Sequence, residues 1–102
     1  MANPNFKILL IDTDEEFLSE VSTALLVEGF KVITATKSCE AIQLAIDEHP
    51  QLVLLDLLMP ELDGIDICIE LRSRPELINT LIVFTWLCCV CILGVHVTCW
   101  HL

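Results

Sequence analysis

Basic residues are scarce in this chain: five Lys and Arg stand against fifteen Asp and Glu, for a formal charge of −10. So acidic a chain repels phosphate backbones and anionic lipid, which argues against direct nucleic-acid or anionic-membrane binding. Clustered carboxylates attract cations instead. Charge of either sign is missing altogether after Glu76, up to Leu102, and no lysine follows Lys37. The amino terminus lacks the basic, apolar and small-residue succession of a signal peptide, because Asp12, Asp14, Glu15 and Glu16 follow the first apolar run at once. A cytoplasmic chain with reduced thiols is the expectation. At 102 residues there is room for one small domain with a modest core.

What the chain has in excess is apolar residues. Hydrophobic content is 55% and mean hydropathy +0.71, high for a small soluble domain. The surplus lies at the end, where four of the six cysteines (Cys88, Cys89, Cys91, Cys99) fall in the last fifteen positions.

The stretch Leu52-Val53-Leu54-Leu55-Asp56 is four large aliphatics closed by an acid. A half-exposed strand would alternate with polar residues, so this run predicts a strand buried on both faces. Asp56 then stands at the carboxyl end of a parallel strand, the rim where open α/β sheets place their chemistry; Asp also simply initiates many loops. Phe6-Lys7-Ile8-Leu9-Leu10-Ile11, closed by Asp12-Thr13-Asp14, predicts a first strand. A helix from Asp14 to Glu28 carries Phe17, Val21, Ala24 and Leu25 at helical spacing, with Gly29 as its C-terminal cap. Phe30 to Ala35 is a β-branched second strand. Ser38 caps a helix running to His49, with Ala41, Ile42, Ala45 and Ile46 on one face and Pro50 ending it; His49 suits the negative helix end. After the organising strand, Pro60 and Asp63-Gly64 begin a helix with Ile65, Cys68, Ile69 and Arg72 at helical spacing. Leu81-Ile82-Val83-Phe84 is a fourth buried strand. Cys39 and Cys68 fall in helices and read as packing residues. Strands alternating with helices build a parallel sheet covered on both faces.

If the first and third strands are neighbours, Asp12, Asp14 and Asp56 meet at one rim. Like charges there repel unless a hard divalent cation sits among them, and magnesium suits a few carboxylates with water and phosphate oxygens. A carboxylate can also take a phosphoryl group as an acyl phosphate. The residues Lys7-Ile8-Leu9-Leu10-Ile11-Asp12, Leu54-Leu55-Asp56-Leu57-Leu58-Met59-Pro60 and Asp63-Gly64, with their spacing, resemble the receiver domains of bacterial two-component response regulators. The resemblance implies an α/β, flavodoxin-like, doubly wound parallel sheet. It is incomplete here, at about four strands and three helices over residues 1–84, followed by a non-family apolar tail over 85–102. It implies Asp56 as phosphoacceptor and a Mg2+ site of Asp12, Asp56, Asp14 and the backbone carbonyl of Leu58. Thr85 lies close to the family's hydroxyl position. The partner implied is a sensor histidine kinase or a phosphotransfer protein, and the domain is a signalling module, not an enzyme. Two departures stand out. The position after Asp12, usually a second acid, is Thr13, and the family's late lysine is absent.

For the tail four readings stay open: a non-native segment packed over the sheet; a replacement edge strand at Val95-His96-Val97-Thr98-Cys99, in this chain or swapped with a partner; a membrane segment over residues 81–97; and a metal site from Cys88, Cys91, His96, Cys99 and His101. The alternative functions are accordingly a receiver-like interaction module that cannot be phosphorylated, or a membrane-tethered or metal-binding fragment through residues 81–102. Self-association through an uncovered sheet edge and the tail is expected in any of these.

Overall fold

The computed structural model describes residues 5–56 and 64–85 and the backbone of 97–100. Within these, β1 (Lys7–Ile11), α1 (Glu15–Val27), β2 (Lys31–Ala35), α2 (Ser38–Glu48), β3 (Leu52–Asp56), α3 (Gly64–Arg72), a 3-10 turn (Pro75–Leu77), β4 (Leu81–Thr85) and β5 (Val97–Trp100) follow in order. The sheet order is β2-β1-β3-β4-β5. The first four strands are parallel, as the resemblance implies, with Leu9 beside Val53 and Leu55 beside Phe84. β5 runs antiparallel to β4, with Val97 opposite Thr85 and Trp100 opposite Ile82. The four parallel strands and three helices are those the resemblance implies, and the tail adds to them a short antiparallel edge strand at 97–100, which overlaps the edge-strand reading of 95–99 in part.

Strand alternation divides the core in two. Leu9, Ile11, Val53, Leu55, Ile82 and Phe84 point to the side covered by Ala41 and Ala45 of α2 and Ile67, Cys68 and Leu71 of α3. Ile8 and Leu10 point the other way, to Leu18 of α1 with Val21, Leu25 and Phe30 around it. Each such aliphatic, fully withdrawn from water, contributes roughly 1.5–3 kcal/mol before the entropy of ordering is set against it.

Two helix faces differ from expectation. In α1 the buried residue is Leu18; Phe17 is half-buried and Ala24 exposed. In α3 Ile67, Cys68 and Leu71 are buried, while Ile65 and Ile69 stand 50% and 56% exposed. Both helices carry apolar residues on more than one side, so periodicity leaves the inward face ambiguous and the crossing over the sheet selects it. Cys68 packs as expected; Cys39 is exposed instead.

Helix ends follow local chemistry. Gly29, at φ 97°, lets α1 close in a Schellman arrangement, with Gly29 N–H donating to Leu26 O (3.0 Å) and Phe30 N–H to Leu25 O (3.2 Å). Ser38 is the first residue of α2 and not its cap, which is Lys37 in extended backbone without a side-chain bond. His49 caps the other end in the left-handed region at φ 49°, directly before Pro50. No helix among the described residues is long and apolar enough to cross a membrane. The described start of the proposed membrane segment, Leu81–Thr85, is strand β4, and residues 86–96 lie outside the described residues.

Candidate functional site

The parallel register fixes which strand ends meet. Ile11 lies beside Leu55, so the next residue of each strand, Asp12 and Asp56, come to adjacent places at the carboxyl edge; Asp56 in turn is in register with Thr85. Three of the residues singled out from the sequence are thus gathered at one rim.

Asp12 is the most constrained of them. Its backbone N–H donates to Ala35 O at 3.2 Å, tying the rim to the end of β2, and its carboxylate Oδ1 accepts from Asp14 N–H at 2.9 Å. The residue is 4% exposed. Its pKa is pushed up to about 6, mainly because burial strips water from the charged form. The Asp14 N–H opposes this, while the charge of Asp56, a side-chain hydrogen bond with Asp56 and the charge of Asp14 add to it. Asp56 is half-buried and Thr85 buried. The Thr85 hydroxyl donates to Leu55 O across a long 3.5 Å, beside the Asp56 position.

Asp14 has a structural job next to this rim. It is the N-cap of α1, its Oδ1 accepting from Glu16 N–H and Phe17 N–H at 3.1 Å each. This role was readable in advance: an Asp directly before two acids and an apolar face is a helix-start signal. Thr13, at the place of the second acid, is exposed. Leu58 lies outside the described residues, as do Cys88, Cys91, His96 and His101; Cys99 is described only as backbone within β5. Among the described residues no group of three or more His, Cys, Asp or Glu could hold a metal ion. The paired acids still suit a hard cation in kind. Both offer carboxylate oxygens, and the buried one is disfavoured as an anion first by burial and then by the charge of its neighbour, which a divalent cation would offset.

The family model described as response regulator receiver domain matches residues 8–86. The alkaline phosphatase synthesis transcriptional regulatory protein PhoP of Bacillus subtilis is 37% identical over 79 residues, covering 78% of this chain and 33% of PhoP. A CpxR homolog of Haemophilus influenzae, named a transcriptional regulatory protein, is 47% identical over 67 residues, covering 66% of this chain and 29% of its own. The chain spans about a third of the length of the curated relatives it matches. Among solved structures, the chemotaxis response regulator CheY4 of Vibrio cholerae superposes with a TM-score of 0.75 at 25% identity, over 78% of this chain and 66% of that one. The signal receiver domain of a DNA-binding response regulator from Colwellia psychrerythraea gives 0.72 at 31% identity, over 79% and 68%.

Proposed function

This chain belongs to the response regulator receiver domain family, and on that premise we propose that it accepts a phosphoryl group onto Asp56 from a sensor histidine kinase or a phosphotransfer protein, in the cytoplasm. The observation that carries the reading is the meeting of Asp12, Asp56 and Thr85 at the carboxyl edge of three adjacent parallel strands. An Asp56 carboxylate oxygen attacks the phosphorus of a donor phosphohistidine. The new P–O bond forms as the P–N bond breaks, and the imidazole leaves with the bonding pair and takes up a proton. Asp12 and Asp56, with the Leu58 carbonyl by family resemblance, would hold Mg2+, which when bound supplies neutralisation of the charge on the transferring group. Thr85 offers its hydroxyl beside the acceptor. Asp14 is given its role as helix cap first, with a metal contact only as a supplement. The receiver-like part is taken as residues 1–84 and the remainder as a tail.

The test is intact-mass measurement after incubation with magnesium and acetyl phosphate. An adduct of one phosphoryl group is expected in the parent chain and none in Asp56→Asn. Its absence from a folded parent would instead favour a second reading, a receiver-like interaction module without phosphorylation. That reading draws support from β5, which pairs antiparallel with β4.

A further inference from the structure

Between α1 and the end of β2 the surface opens into a cleft of about 250 Å³ lined by Glu15, Leu18, Ser19, Ser22, Thr34 and Thr36. Its make-up is unusual for a helix-to-sheet junction. Glu15, Ser19 and Ser22 recur at the spacing of one helix face, and Leu18 alone of the lining is buried. Where further aliphatics would close α1 onto the edge strand, four hydroxyls and a carboxylate line the gap instead. None of these five side chains makes a hydrogen bond to another described residue. A cleft with an apolar floor and a rim of unused oxygens fits a ligand with a short aliphatic stem and a cluster of N–H donors.

The sign of the charge narrows this further. The lining contains one carboxylate and no basic side chain. Asp14 and Glu16 flank Glu15 in a chain of formal charge −10. Lys37 follows Thr36 in sequence but does not line the cleft. An anion would meet the Glu15 carboxylate, whereas a cation meets up to six oxygen acceptors. We infer that the α1–β2 cleft binds an alkyl-guanidinium or alkyl-ammonium group, with its stem on Leu18 and its head among Glu15 and the Ser19, Ser22, Thr34 and Thr36 hydroxyls.

This inference stands apart from the phosphoacceptor reading, since none of the six residues belongs to the paired acids. The probes are n-butylguanidinium, as the free ligand, and a short arginine-containing peptide amide, for the same group carried by a protein. Each is titrated by NMR at low ionic strength into the full chain. Saturable shifts confined to α1 and the end of β2 are expected, weakening at least fivefold in Glu15→Gln and unchanged in Glu28→Gln, an exposed carboxylate at the far end of α1. Neutral n-butanol is expected to leave those signals in place. Thr34→Val, which keeps the shape of an exposed strand residue, is expected to weaken binding two- to threefold. Binding of only the free cation identifies a small-molecule source, and tighter binding of the peptide a protein source. Absence of saturable shifts with both probes, or equal weakening by Glu15→Gln and Glu28→Gln, overturns the site.

Discussion

The two edges of the parallel sheet treat charge in opposite ways. At the amino edge polar groups are paired off. Lys7 Nζ contacts Glu48 Oε1 and Glu48 O at 3.2 Å, and Lys7 N–H donates to Gln51 Oε1 at 2.6 Å. The buried Thr80 hydroxyl donates to Pro50 O at 2.8 Å, and Arg72 reaches from α3 to Leu77 O and Thr80 O. At the carboxyl edge two acids are brought together instead, and the described ion pairs, Lys7–Glu48 and Arg74–Glu70, both lie elsewhere. One edge pairs charge with charge; at the other a carboxyl is pushed up by burial and, to a lesser degree, by the charge of the acid beside it.

Four substitutions sharpen that contrast, and the largest loss of stability is expected from Arg72→Ala. It removes two charge-assisted bonds that tie α3 to the start of β4, partly offset by freeing a buried Nε that has no partner among the described residues. A loss of about 2 kcal/mol by urea denaturation is expected. A loss below half that would mean the amino edge is not held by this arginine.

Asp12→Asn acts with the opposite sign. A carboxyl whose folded pKa is raised from 3.8 to about 6 contributes its full share of stability below pH 4 and loses it as pH rises through 6. On the order of 2–3 kcal/mol is at stake between those limits. The amide keeps the oxygen that accepts from Asp14 N–H but carries no charge. In magnesium-free buffer the variant is expected to be more stable than the parent at pH 7 and nearly equal to it at pH 4. A parallel pH dependence in the two proteins would remove the claim that the Asp12 carboxyl is pushed up. Adding magnesium at pH 7 is expected to raise the melting temperature of the parent more than that of the variant.

Asp14→Ala separates capping from metal binding. It is expected to cost about 1 kcal/mol with or without magnesium, because two helix N–H groups lose their acceptor. A cost that grows when magnesium is present would restore Asp14 to the metal site. The smallest effect belongs to Lys7→Met, at most about 0.5 kcal/mol, since both partners of that ion pair are substantially exposed. A cost above 1.5 kcal/mol would show that the pair is more than a surface contact.

Much of this was legible beforehand because it is local. The aliphatic runs of β1, β3 and β4, the glycine that closes α1 and the acid at the end of β3 are each set by a few consecutive residues. Which strand ends meet was legible only through the family resemblance. Asp12 and Asp56 are 44 positions apart, and only the strand order makes them neighbours.

Sequence by itself determined the alternation of strands and helices, the family motif around Asp56 and the acidity of the surface, since burial pattern, turn chemistry and net charge need no knowledge of the partner elements. Tertiary structure alone decided that Leu18 and not Phe17 is the buried residue of α1, that the Asp12 carboxyl titrates near 6, and that residues 97–100 pair antiparallel to β4. Each of these depends on which groups face one another across the fold, and an interaction between distant segments has no signature in either segment alone.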